Sequence, residues 1–222
     1  MSLLIALEGI DTNNKTSLIS GLKKSNELNL ITCNWKETEL GEKITNLLNE
    51  THEEIRSHFF LNLLALEELA SKKIRPNLKE NKIVIVDEYI DNILVYQGLE
   101  EGVGIDVIQK IFERNIKLEF PDITFVLDDD LQEIQKEIGT KWDNSKLEFY
   151  QRIRDYYLKL KDFFPERVYI LSAHKNQKEV LEEIKSVIKK CLPNKEEENN
   201  LPILFRENQE IELFTIFNMF LI

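Results

Sequence analysis

Four short runs of Ile, Val and Leu, at residues 3–7, 83–86, 123–127 and 168–171, are nearly continuous in apolar side chains. A strand with one wet face alternates apolar and polar residues. Runs apolar at almost every position instead predict strands buried on both faces, as in a parallel sheet covered by helices. A fifth, weaker strand is read at 28–32. Helical spacing of apolar residues predicts helices at 18–24, 40–48, 55–78, 105–118, 147–163 and 180–188. Strand and helix therefore alternate, which predicts an α/β domain with right-handed crossovers.

At 222 residues the chain is long enough to bury a core without disulfides or a structural metal. Its two cysteines, Cys33 and Cys191, show no metal-ligand spacing and read as reduced thiols. A formal charge of -11 argues against nucleic acid or an acidic membrane surface as partner. A phosphorylated small molecule needs only a local positive pocket and stays compatible with that charge. No basic stretch precedes the first apolar run, and no run approaches the roughly 20 residues of a membrane span. The expected location is the cytoplasm. The domain is read over 1–192, followed by a Pro-, Glu- and Asn-rich linker at 193–202 and an apolar extension at 203–222. The extension is expected to dock as an added strand or helix on the domain or on a second copy.

The first strand runs into LEGIDTNNKTS (7–17), close to the phosphate-binding pattern G-x-x-x-x-G-K-[ST]. Gly9, Lys15 and Thr16 are in register, and Asn14 stands where the pattern has its second glycine. Such a loop surrounds phosphate with backbone N–H groups at a helix N-terminus. Its lysine reaches the outer phosphates, and its hydroxyl binds magnesium. Asn tolerates left-handed backbone better than most residues, so Asn14 is expected to supply the conformation a glycine would. Gly9, Thr12, Asn13, Asn14, Lys15, Thr16 and Ser17 are the candidate ATP contacts. A second landmark is the strand 83–86, which ends at Asp87, a carboxylate suited to hold magnesium-bound water.

Four segments together resemble the thymidylate kinase family: LIALEGID (4–11), IVIVDEYIDNILVYQG (83–98), PDITFVLD (121–128), and FYQRIRDYYLKL with PERVYIL (149–160 and 165–171). The resemblance spans about residues 3 to 190. It implies a P-loop three-layer sandwich with a central five-stranded parallel sheet, commonly in a homodimer. It also implies transfer of the γ-phosphoryl of ATP, with Mg2+, onto dTMP. Under it Lys15 neutralises the moving phosphoryl, Thr16 and Asp87 serve the metal, and Asp11 approaches the acceptor. Tyr96 and Gln97 line the acceptor pocket. Phe59 and Phe60 border the base, with core packing as the competing role.

The departures all concern positive charge, on which phosphoryl transfer depends. Glu88 stands where the family places an acceptor-phosphate Arg, and a repulsive pair near 4 Å costs about 4 kcal/mol at surface-like dielectric. No basic residue lies in 61–70, and TCNWKE (32–37) replaces an Arg-containing loop, with Trp35 as an alternative wall for a base. The lid, read at about 130–147, lacks arginines and leaves Lys136, Lys141 and Lys146, of which Lys141 is the candidate to reach the ATP phosphates. Two alternatives stay open: a catalytically inactive nucleotide-binding or dimerising relative, and a deoxynucleoside kinase.

Overall fold

A computed structural model of the chain describes residues 2–10, 13–24, 28–50, 55–114, 118–137, 139, 141–173 and 175–192. The expectations for Asp11, Thr12, the linker and the C-terminal extension lie outside the described residues.

Five strands, β1 (Leu3–Gly9), β2 (Leu30–Asn34), β3 (Ile83–Asp87), β4 (Ile123–Asp128) and β5 (Val168–Ser172), form one parallel sheet in the order β2-β3-β1-β4-β5. The four apolar runs mark four of these strands. The fifth begins and ends two residues later than the reading at 28–32. Strand β1 is buried along its whole length, between β3 and β4. Its successive side chains enter opposite cores, which explains the continuous apolar run. Leu3, Ile5 and Leu7 join the smaller core, under α1 (Asn13–Lys23) and α9 (Gln177–Cys191). Leu4 and Ala6 join the larger one.

The larger core is roofed by α3 (Ile55–Leu69), α5 (Ile90–Ile93), α6 (Ile105–Arg114) and α8 (Asn144–Phe163). Between the remaining strands and helices run α2 (Glu39–Glu50), α4 (Arg75–Lys79) and α7 (Leu131–Glu137). The helix expected over 55–78 is one path, from α3 through a wide π turn at Ala70–Ile74 into α4. Two helical pieces were not expected: α5, continued by a π-helical turn at Leu94–Glu100, and α7. The first is apolar enough to read as a continuation of β3.

One buried ion pair ties α5 to the sheet. Arg167, just ahead of β5, donates to both oxygens of Asp91 at 2.8 and 2.9 Å and to the Thr124 hydroxyl at 2.7 Å. Burial would push the Asp91 carboxyl up, but the Arg167 charge and these hydrogen bonds hold it below its ordinary value. Removing one member of such a pair strands a charge in the core. Arg167→Met is therefore expected to lower unfolding free energy by about 3–5 kcal/mol at neutral pH, measured by urea titration.

Candidate active site

Strand order reverses at β1: the chain leaves it toward β2 and β3 on one side and reaches β4 and β5 on the other. In an open parallel sheet the crevice at that reversal, beyond the carboxyl ends of the strands, is where ligands bind. Gly9, Asn34, Asp87 and Asp128 all end strands there.

Gly9 has φ +130°, and a Cβ on it would stand 2.6 Å from the Leu127 carbonyl oxygen of β4. Only glycine lets β1 run this close to β4 and still turn toward α1. Helix α1 then carries Asn14, half-buried, and Lys15, 1% exposed, in its first turn. Asn14 therefore does not adopt the left-handed conformation expected of it. It already lies in right-handed helix, so the missing glycine costs no backbone strain there. Thr16 and Ser17 follow on the exposed side of the helix.

Among the described non-glycine residues of the site, the left-handed one is Glu88, at φ 61°. For an ordinary residue this costs about 1–3 kcal/mol, sustained by surrounding bonds. Here Glu88 N–H donates to the Leu7 carbonyl at 3.1 Å, and Tyr89 N–H donates to Glu8 Oε1 at 2.9 Å. The turn aims the Glu88 carboxylate at the phosphate-loop lysine. Lys15 Nζ donates to Glu88 Oε1 at 2.6 Å and stands 3.7 Å from Asp87 Oδ1. Glu88 Oε2 faces Lys36 Nζ at 3.7 Å. Burial would raise the Glu88 pKa, but Lys15 and Lys36 together bring it below its ordinary value, so Glu88 is anionic.

Asp87 also accepts a hydrogen bond from the Asn34 side chain, 3.1 Å. The same Asn34 accepts the Lys36 N–H at 2.8 Å, capping the 3₁₀ turn Trp35–Glu37. Gly41 closes beneath that turn, since a Cβ there would lie 1.8 Å from the Trp35 carbonyl oxygen. Trp35 is half-buried against the larger core, with the Lys36 ammonium 5.5 Å from its ring centre. The oxygen donors Thr16 and Asp87 are of the hard type that suits Mg2+, an ion commonly held by one or two protein oxygens and the nucleotide phosphates.

Tyr96, expected to line the acceptor pocket, has its ring centre 6.3 Å from those of Phe149 and Tyr157. Gln97 is buried beside it. Phe59 is only 1% exposed and belongs to the larger core, the packing role set against the base-bordering one; Phe60 is 58% exposed. Lys141 lies exposed in a recess with Gln132, Gln135, Lys136 and Gly139. This is distinct from the recess that Gly9 and Ile10 share with Asp128 and Arg154. Trp142, within the segment expected to form a lid, is buried and stacks on Tyr150 at 4.3 Å, with Lys146 near both rings.

Sequence reasoning missed Glu8, Asn34, Lys36 and Arg154. Arg154 grips Asp128 at 2.6 and 3.0 Å beside the phosphate loop. The signal for Glu8 was present, a lone carboxylate inside an apolar strand. The other three are polar residues whose partners are remote in sequence.

This is the arrangement of a P-loop phosphotransferase: a glycine turn off a central strand, a lysine opening the next helix, and a strand-end carboxylate facing it. The family model described as "Thymidylate kinase" matches residues 7–184. The chain is 29% identical to a thymidylate kinase of Clostridium novyi over 204 residues, 83% of this chain and 97% of that protein. It is 31% identical to one of Mycoplasma genitalium over 202 residues, 85% and 94% of the two chains. The crystal structure of thymidylate kinase from Ehrlichia chaffeensis superposes with a TM-score of 0.67 at 27% identity, covering 84% of this chain and 98% of that one. The chain belongs to the thymidylate kinase family.

Glu8 supplies a pH test. Its carboxyl is fully buried, and burial with the nearby Asp91 charge pushes its pKa well above the ordinary value, while the Tyr89 N–H pulls the other way. The fold therefore binds that proton more tightly than the unfolded chain. The resulting stability is complete below the unfolded carboxylate pKa and is lost as pH rises through the folded value. Denaturant titrations from mildly acidic to alkaline pH should show the wild type losing stability relative to Glu8→Gln as pH rises. The lowered carboxylates Glu88 and Asp91 act in the opposite sense but are common to both proteins.

Proposed function

We propose that the protein transfers the γ-phosphoryl group of ATP, carried with Mg2+, to dTMP, giving dTDP. The observation that supports this best is the convergence of Gly9, Lys15 and Asp87 at the strand-order reversal, in a chain that matches thymidylate kinases over residues 7–184. Transfer of this kind relies on positioning and positive charge more than on covalent chemistry by the protein. Lys15 neutralises the β- and γ-phosphates at the helix N-terminus. Thr16 and Asp87 would hold a magnesium ion, which would supply positive charge against the phosphates. Tyr96 closes the acceptor side, its ring fixed by Phe149 and Tyr157, and Asp11 approaches the acceptor. Arg154 and Lys141 are the cations on the lid side. An assay coupling ADP formation to NADH oxidation should show turnover with dTMP, and Lys15→Met should lower kcat by about 10²–10³-fold. ATP consumption independent of every monophosphate acceptor would refute the reading.

The protein acts in the cytoplasm as a homodimer, on small nucleotides and without nucleic acid or membrane as partner. No helix among the described residues is long and apolar enough to cross a membrane. Phe60 and Leu64 stand exposed one turn apart on α3, which packs on the α2 that carries the exposed Leu47. A second copy covering this face accounts for apolar side chains of that size in water. The domain is read over residues 1–192, with the segment at 203–222 beyond the linker as a further docking element. Sedimentation should give twice the chain mass for the wild type and for a protein lacking 203–222, and a monomer for Phe60→Glu with Leu64→Glu.

A further inference from the structure

We propose that Glu88 is an internal competitor for the phosphate-loop lysine, and that Lys36 is the residue onto which Glu88 moves when a nucleotide phosphate takes Lys15. The inference rests on the reading that this loop binds ATP, and it concerns how tightly.

Three observations carry it. First, the Lys15 ammonium is buried and donates to Glu88 Oε1 at 2.6 Å. A phosphate oxygen reaching that ammonium must displace a short, charge-assisted bond between side chains only 2% and 14% exposed, where such a bond is stronger than in water. Second, the contact is built in and not a chance rotamer. Glu88 holds a left-handed backbone at φ 61°, pinned by its own N–H on the Leu7 carbonyl and by the next N–H on Glu8. Third, the carboxylate already spans two cations, because its other oxygen faces Lys36 Nζ at 3.7 Å. Rotation of the carboxylate toward Lys36 releases Lys15 without leaving Glu88 unpaired.

Lys36 suits the receiving role. It projects from a 3₁₀ turn capped by Asn34, and Asn34 also holds Asp87, so the turn is fixed to the end of the strand that delivers Glu88. Its side chain is 43% exposed, against 2% for Lys15, so Lys36 can follow the carboxylate while Lys15 stays fixed. With phosphate on Lys15, the Glu88–Lys36 pair is close to neutral, and the repulsion between Glu88 and an incoming anion falls accordingly.

Calorimetric titration of ATP-Mg into wild type, Glu88→Gln, Lys36→Met and the double variant tests this at moderate ionic strength. Glu88→Gln should bind ATP-Mg at least tenfold more tightly than wild type. Lys36→Met should bind severalfold more weakly, because Glu88 then leans on Lys15 alone. The double variant should match Glu88→Gln. Glu88→Gln binding no more tightly than wild type, including no binding by either, overturns the competitor role. A Lys36→Met penalty of equal size in both backgrounds means direct contact with nucleotide and overturns the receiving role; so does the absence of any penalty. Circular dichroism melts verify folding, and Glu88→Asn, which tolerates left-handed backbone, repeats the test should Glu88→Gln not fold. Tightened ATP binding without dTMP turnover in any variant would refute the kinase reading and leave this inference standing.

Discussion

The architecture depends on one strand having no wet face. With β3 and β4 as hydrogen-bonded neighbours and a core against each side, β1 is apolar at every position from Leu3 to Leu7, with Glu8 and Gly9 at its carboxyl end. At that exit the β4 backbone is so close that Gly9 is obligatory. The phosphate loop, the helix opened by Lys15 and the strand-end carboxylates of β3 and β4 are brought together by this constraint. The active site is where a doubly covered strand has to let its chain go.

Around that exit, charge is arranged in linked pairs. Lys15 meets Glu88 and Asp87, Glu88 also meets Lys36, and Arg154 grips Asp128. Such pairing suits a protein of formal charge -11 that handles anionic nucleotides. Lys15, Lys36 and Arg154, the cations near that exit, each stand beside an acid. At position 88 the chain places an anion and sets a lysine from a neighbouring turn beside it.

The sheet was legible because burial on both faces writes a continuous apolar run, which no surface element imitates at that length. The loop was legible because Gly9, Lys15 and Thr16 keep their spacing. The conformation of the turn residues was not. Asn14 fills the glycine position of the motif, so left-handed backbone was expected there, yet that residue lies in helix and Glu88 carries the positive φ. A motif fixes residue types in register, but which residue absorbs a turn depends on hydrogen bonds from elsewhere, here Leu7 and Glu8. Phe59 and Phe60, neighbours in sequence, likewise part company only once the fold shows which of them faces the core. Asn34, Lys36 and Arg154 matter through partners 26 to 53 residues away, a separation at which local pattern is silent.

Helix α9 makes a distinct contribution. It supplies Val180, Ile184 and Ile188 to the smaller core against which α1 lies, and Gln177 donates to the Ser17 carbonyl at 2.6 Å. Gly21 of α1 faces the Leu181 side chain of α9 across the contact between the two helices. The element that carries Lys15 thus takes its packing partner from a helix about 160 residues further along the chain. Until residues 177–191 emerge, the phosphate-binding helix has half a core beneath it. The order of synthesis therefore keeps the nucleotide site unfinished until the domain is nearly whole.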